Sequence, residues 1–419
     1  MSAFRLPVYR VACAVSGGVD SAVSAFLLKQ RGFNVVGVFM RNWDQHDETL
    51  HCSSDADRED AKFICHKLGI EFCELNFVKE YWQRVFMPLV DAYTRGLTPN
   101  PDILCNSFVK FQMLAKTTLK PELRSVFSSD SLGITSVDAD AFATGHYAQN
   151  SFGNFLERRL SRPESEMPLL LRSADPVKDQ TFWLCTVAAK YLQCAMFPVG
   201  KLTKPVVKEI AREIGLDKIV ARRESMGICF IGKRKFRDFI DNYIEPRPGI
   251  FKDYETGEVL GEHSGVHHFT LGQRVPGITK GQVPFYIAKL IASSQEISVV
   301  RGATHPALFM RRCLTEPPIW VSGYAPKLPS SDYSFQWQNK WRAVPALIAP
   351  ISDSSGLSIC LEKPMRCVAS GQHAALYHRN VCLGGAVIRK SISLAEEGLT
   401  EPYTGWCVSD YELGYKTTN

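Results

Sequence analysis

The sequence predicts an α/β protein: a parallel sheet with helices on both faces, followed by a small mixed central domain and a C-terminal β-barrel. Three observations carry this. The apolar runs Tyr9–Val15, Val35–Phe39 and Glu71–Phe77 are separated by helical stretches near Ala22–Arg31 and Glu59–Leu68. Such a βαβαβ alternation requires a parallel sheet covered by helices, with ligands beyond the C-terminal ends of its strands. From about Gly249 the texture changes to short β-rich runs broken by Gly, Pro and Ser, such as Val266–Leu271, Val283–Leu290 and Ile297–Arg301. Between His305 and Lys390 short strands with turn signals recur, Ser358–Leu361 and Ala374–Tyr377 among them, as in a small barrel or sandwich.

The remaining elements follow in order. Lys79–Arg95 reads as a long helix closed by Gly96, and Pro99 and Pro101 then force a loop. A strand at Ala139–Thr144 ends at Gly145-His146-Tyr147, and Asn150–Pro168, polar and without period, reads as a surface excursion. Thr203 caps a helix with Pro205 in its first turn and Gly215 at its end. After Ile392 the chain turns slightly acidic and reads as a loose tail. The expected domains are 1–193, with 223–235 returning to its site, then 194–303, 304–392 and a tail at 393–419.

Composition limits the function. The 49 Lys and Arg against 43 Asp and Glu leave a charge of +6 on 419 residues, and 45% hydrophobic content supplies a core for two or three domains. No run approaches the roughly 18 apolar residues that span a bilayer, so no membrane role is expected. The 13 cysteines include no C-x-x-C pair, which disfavours a disulfide framework or a structural zinc site. Between Lys201 and Gly249, 12 Lys and Arg face 7 Asp and Glu. Such a segment, with Lys233-Arg234-Lys235 and Arg237, suits the phosphate contacts that position RNA. Solvated charge is its plainer explanation.

The chemistry begins at Ser16-Gly17-Gly18-Val19-Asp20-Ser21, which joins the first strand to the first helix. Two glycines let the backbone approach an anion, the hydroxyls of Ser16 and Ser21 can donate, and the N–H groups of the helix start favour negative charge. The loop has no lysine and lacks the Walker ending, so it offers neutral donors that suit a departing pyrophosphate. Asp20 is better placed to hold Mg²⁺, directly or through water, than to touch phosphate.

This hexad resembles the signature of the PP-loop ATPases, which cleave ATP between its α and β phosphates to adenylate a substrate. Five further segments are similar to the tRNA-specific 2-thiouridylases of that superfamily, in the texture of their mitochondrial, eukaryotic branch. They are Phe39-Met40-Arg41-Asn42-Trp43, Thr98–Asn106, Ala143–Ala148, Lys178–Phe182 and Ser225–Phe230. Thr270–Arg274 and Ser370-Gly371-Gln372 extend the likeness toward the C-terminus. The resemblance implies a PP-loop ATPase domain that thiolates the wobble uridine of tRNA, with ATP consumed and Mg²⁺ alongside it. No tightly bound metal or organic cofactor is expected.

By the same resemblance Cys229 accepts a persulfide from an upstream sulfur-carrying protein, and Cys105 is the partner thiol that closes a disulfide with it. An external reductant then restores both. Asn100, Pro101 and Asp102 match the target-base loop, where Asp102 would move a proton; a loop cap is its plainer role. Met40 and Gly145 match the adenine and ribose side of the ATP site. His146, the trio Lys178, Asp179 and Gln180, and Gln372 match tRNA-contacting positions on an anticodon stem-loop. Tyr243 and Phe251 are candidates to stack on unpaired bases. The chain departs from the family at Gln336-Trp337-Gln338, where an Arg-aromatic-Arg run is usual; Lys340 or Arg342 would replace the charge and Trp337 would stack.

The helix start at Val109–Thr117 and the nearby Arg222 and Arg223 would favour thiolates at Cys105 and Cys229 respectively, whereas Cys13, Cys65, Cys73 and Cys185 read as packing residues. The competing readings are an amidotransferase-type PP-loop synthetase and a non-catalytic ATP- and RNA-binding protein. The leader Met1–Arg10, with two arginines and no acid, is compatible with a mitochondrial import signal; the cytoplasm is the alternative location.

Overall fold

The computed structural model describes residues 7–43, 53–124, 137–163, 165–222, 234–280, 282–352 and 354–412. Cys229 lies outside them, so the structure says nothing of its position.

The first sheet is parallel throughout. Its strands are β1 (Arg10–Ala14), β2 (Asn34–Arg41), β3 (Glu71–Asn76), β4 (Ala141–Ala143) and β5 (Ala195–Met196), in the order β3-β2-β1-β4-β5. The inner strands β1, β2 and β4 are buried on both faces, which is why they read as continuous apolar runs, whereas the edge strand β3 is only half-buried. Successive side chains alternate between two cores. Val11, Cys13 and Val15 face helices α1 (Val19–Gln30) and α2 (Ser53–Leu68), whereas Ala12 and Ala14 face α3 (78–94) and α4 (101–118). Helix α5 (Lys204–Glu213) packs Val207 and Ala211 into the first core. The order reverses between β2 and β4 around β1, and the crevice at such a switch point is where a ligand binds. The glycine-rich loop leaves β1 into that crevice.

Two helices depart from the regular 3.6-residue period. α3 widens into a π turn over Trp82–Phe86 and α4 over Cys105–Met113. The second accounts for a difference from the sequence periodicity, which places the start of this helix at Val109. It begins at Pro101, with Asn100 at its N-cap, so Cys105 lies a full turn inside it. The favourable field of a helix N-terminus has largely decayed there.

The central unit is a mixed five-stranded sheet among the described residues, ordered Arg274–Lys280, Val283–Ile291, Glu296–Arg301, Gly249–Asp253 and Val259–His263. The strand expected at Val266–Leu271 is a single 3₁₀ turn, Val266–His268. The C-terminal unit closes on itself: Phe309–Thr315 pairs with both Leu357–Arg366 and Val381–Ser393, completing a six-stranded barrel through Val344–Pro350, Ser330–Gln336 and His373–His378.

Three stretches pack more closely than their sequence suggests. The hairpin Ala148–Asn150 with Leu170–Arg172 hydrogen-bonds onto barrel strand Val381–Ser393, so the catalytic unit and the barrel share one ladder. The stretch 150–168, expected as a surface excursion, buries Phe152, Phe155 and Leu156 against the first core. The described part of the expected loose tail, to residue 412, instead returns to the barrel: Arg342 N donates to Tyr411 O at 2.7 Å, and Tyr411 stacks on Trp406 at 4.4 Å.

Candidate active site

Gly17 adopts φ +80°, and a Cβ there would come within 2.6 Å of the Asp57 carbonyl oxygen. Glycine is therefore required both for the turn and for the approach of α2. Ser21 braces the loop from inside: its Oγ donates to Gly18 O (2.9 Å) and accepts from Ser16 N (3.1 Å). Gly145, at the end of β4, lets that strand approach the start of α1, since a Cβ there would lie 2.7 Å from Ser21 N. Its place is behind the loop.

The loop has no lysine of its own, yet a lysine reaches it. Lys204, at the start of α5, places Nζ 2.7 and 2.8 Å from the two oxygens of Asp20, and the Tyr147 hydroxyl donates to the same carboxylate at 2.9 Å. Asp175 accepts from Lys204 N at 2.9 Å and fixes the helix start. Mg²⁺ takes one or two carboxylates and keeps water and phosphate oxygens for the rest. Asp20 offers such a carboxylate at the loop mouth, so the donor set fits an ion arriving with the nucleotide, in competition with Lys204.

A cavity of about 510 Å³ opens from this loop. Val15 to Asp20, Phe39, Met40, Trp43, Asp102 and Cys105 all line it. Lys110, Lys178, Lys204, Lys208 and Arg222 also line it. Part of the basic excess read as an RNA-binding surface thus faces the nucleotide crevice. Arg222 is tied down by α2, at 2.8 Å to Asp57 and by a contact to Asp60. Lys110, Lys204, Lys208 and Tyr147 are residues that sequence reasoning missed.

Asp102 lies in the first turn of α4, and burial pushes its carboxyl above the ordinary 3.8 while Lys110 pulls it back. Cys105 is 4% exposed. Asn100 and Pro101 are buried beside the cavity, and the barrel holds their loop. Gln372 Nε2 donates to Thr98 O at 3.0 Å, Thr98 N donates to Ser370 O at 2.9 Å, and Asn100 Nδ2 donates to Gln372 Oε1 at 3.5 Å.

The other positions matched to tRNA contacts also face inward in part. His146 packs on Phe111, with Nδ1 2.9 Å from Thr144 Oγ1 and Nε2 3.1 Å from Asn106 Oδ1. Burial, with repulsion from Lys110, brings its pKa down to about 3. Asp179 accepts from Arg172 (2.6 Å), Ser173 N (3.0 Å) and Thr181 (2.8 Å), and Gln180 Oε1 accepts from Tyr147 N (2.8 Å). Lys178 and Gln180 reach the cavity; Asp179 orders the turn beneath them.

Gln336 and Trp337 are only 2% and 3% exposed. Gln336 donates to the carbonyl of Trp341 at 2.8 Å, and Trp337 sits in the barrel core, so it has no face for a base; Lys340 covers the Trp341 ring at 4.4 Å. Tyr243 packs among Trp82, Phe86 and Phe239, and Phe251 is buried in the central sheet. Burial pushes the thiols of Cys13, Cys65 and Cys185 upward, Cys65 to about 11, as expected of packing residues.

A parallel sheet with a glycine loop at its switch point, opening into one cavity with a carboxyl and a thiol, defines a PP-loop nucleotide enzyme. Comparison with known proteins agrees. A family model described as "tRNA methyl transferase HUP domain" matches residues 9–233, one described as "tRNA methyl transferase PRC-barrel domain" matches 237–301, and an "Aminomethyltransferase beta-barrel domain" matches 310–388. The mitochondrial tRNA-specific 2-thiouridylase 1 of Drosophila melanogaster is 42% identical over 384 residues, 91% of this chain and 94% of its own. That of Danio rerio is 40% identical, covering 90% and 91%, and the tRNA-specific 2-thiouridylase MnmA 1 of Geobacillus kaustophilus is 37% identical, covering 92% and 96%. The chain belongs to the tRNA-specific 2-thiouridylase family.

Proposed function

We infer that this chain is an ATP-dependent tRNA sulfurtransferase that converts the wobble uridine to 2-thiouridine. Thiolation of tRNA by a PP-loop enzyme follows from the family; the steps and residue roles are our own reading. The observation that carries them is the single cavity shared by the phosphate loop, Asp102 and Cys105.

In the first step the uridine O2 attacks the α phosphorus of ATP, the α–β bridge breaks, and diphosphate leaves. The backbone of Ser16 to Ser21 cradles it, Lys204 supplies the positive charge that the loop lacks, Met40 borders the nucleoside, and Gly145 supports the loop from behind. Mg²⁺ held by Asp20 would neutralise phosphate charge. Asn100, Pro101 and Asp102 hold the base, and Asp102, its pKa raised by burial, takes or returns the uridine proton.

In the second step the terminal sulfur of a Cys229 persulfide attacks C2 and AMP departs with the oxygen. The Cys105 thiolate then attacks the Cys229 sulfur, the S–S bond to the base breaks, and thiouridine is released beside a Cys105–Cys229 disulfide. A reductant returns two electrons, and a persulfide-carrying protein reloads Cys229. His146, Lys178 and Gln180 border the path of the anticodon stem-loop, while Asp179 and Gln372 order the turn and the target-base loop beneath it. The names of the animal relatives support a mitochondrial site of action, and no helix among the described residues is long and apolar enough to cross a membrane.

The test is an assay with unmodified tRNA, ATP and a persulfide donor. We expect AMP and 2-thiouridine in equal amounts. AMP without thiouridine under full sulfur loading, or neither product, overturns the reading.

A further inference from the structure

Outside the nucleotide cavity, Asp241, His267 and His268 bring three ligand atoms within 4.8 Å of one another. Asp241 follows the helix Phe236–Ile240, whereas both histidines occupy the 3₁₀ turn Val266–His268 at the entry to the central sheet. The two imidazole Nε2 atoms converge on one oxygen, Asp241 Oδ1, at 3.0 and 2.5 Å. Their side chains are 4% and 2% exposed, while Asp241 is 30% exposed.

We propose that Asp241, His267 and His268 form a binding site for a divalent transition-metal ion, with Zn²⁺ its natural occupant. Two imidazoles and a carboxylate are the donor set that such ions prefer over Mg²⁺ or Ca²⁺. Tetrahedral Zn²⁺ with bonds of about 2.0–2.2 Å separates its ligands by about 3.4 Å, so small side-chain rotations convert the present cluster into a coordination shell. The second shell is in place: His268 Nδ1 lies 3.2 Å from Ser264 Oγ, leaving Nε2 for the metal. The exposed edge of Asp241 provides the entry path and an open position for water.

The neighbouring groups define the site further. His263 is not a fourth ligand, because its Nε2 is held by Gln295 O at 3.1 Å and its ring packs on Phe251 and Phe269. Arg237, in contact with Ser264, opposes a cation here. The Asp241 charge offsets it, which makes this a site of moderate affinity. Bound metal would join the segment carrying Asp241 to the central sheet, closing a loop of 26 residues.

The test uses the full chain after chelator treatment, titrated with Co²⁺ as a spectroscopic probe and then with Zn²⁺. We expect about one ion per chain, cobalt d–d bands without thiolate charge transfer, displacement by Zn²⁺, and a higher melting temperature with Zn²⁺. Asp241→Asn and His268→Gln should each weaken binding by at least tenfold. Ser264→Ala, a milder change, should weaken it measurably while the metal-free melting temperature holds. Absence of binding, an exclusively thiolate-type cobalt spectrum, or equal affinity in all three variants overturns the site and leaves a hydrogen-bonded cluster only. None of these readouts depends on thiolation.

Discussion

Lys204 and Asp20, 184 positions apart, form a two-pronged ion pair at the mouth of the phosphate loop, with Nζ at 2.7 and 2.8 Å from the carboxylate oxygens. The lysine is 8% exposed, so its charge acts in a partly dry site where hydrogen bonds to charged groups contribute about 1.5–3 kcal/mol. Lys204→Met should therefore raise the KM for ATP roughly 10- to 100-fold, with a smaller effect on tRNA affinity. Initial rates at varied ATP check this; an unchanged KM would remove Lys204 from the nucleotide site.

Gln372 ties the barrel to the target-base loop. Its amide donates to Thr98 O and accepts from Asn100, so Gln372→Ala should loosen the loop rather than remove an RNA contact. Displacement by about 1 Å can cost on the order of a hundredfold in rate. We expect a large fall in kcat with tRNA Kd changed severalfold at most. A purely affinity-based defect would restore the direct tRNA role that the resemblance assigns to this residue.

Asp102 has a pKa raised above 3.8 by burial. A carboxyl that binds its proton more tightly when folded favours the native state at low pH and opposes it once pH exceeds the folded pKa. Asp102→Asn should thus melt at a higher temperature than wild type near neutrality, an advantage that shrinks as pH falls through the raised folded pKa and is gone below 3.8, while thiolation is lost. Lys110→Met should move the carboxyl's limb of the pH–rate profile to higher pH, since Lys110 lowers that pKa. Melting curves and rates across pH test both signs.

His146 shows the opposite linkage. Its pKa falls from 6.5 unfolded to about 3 folded, so the unfolded chain takes up a proton first. Stability is lost as pH drops from about 6.5 toward 3. His146→Gln should flatten that part of the pH–stability curve relative to wild type, and an unchanged curve would mean the ring is protonated in the fold.

Much of this was legible locally. The parallel sheet announced itself because strands buried on both faces cannot hide among polar residues, and Gly17 is required by a backbone that no other residue adopts without strain. What escaped was set by tertiary contact. Lys204 meets Asp20 only when α5 packs against α1, and no spacing in the sequence foretells it. The first turns of helix α4 are not legible in the sequence because the π segment Cys105–Met113 breaks the 3.6-residue period by which helices are recognised. Phe152, Phe155 and Leu156 lie in turns, where burial has no period, and Trp337 resembles an RNA-stacking residue until Gln336 is seen turning inward.

The central claim is that Cys229 carries the transferred sulfur and Cys105 releases it beside the phosphate loop. Its most direct test loads wild type, Cys105→Ser and Cys229→Ser with labelled sulfane sulfur, then follows the label by peptide and nucleoside mass spectrometry after adding ATP and tRNA. The account predicts label on the Cys229 peptide in wild type and Cys105→Ser, release as 2-thiouridine from wild type alone, and no label or thiolation in Cys229→Ser, with ATP binding intact in all three. Thiouridine formed by Cys229→Ser would contradict it.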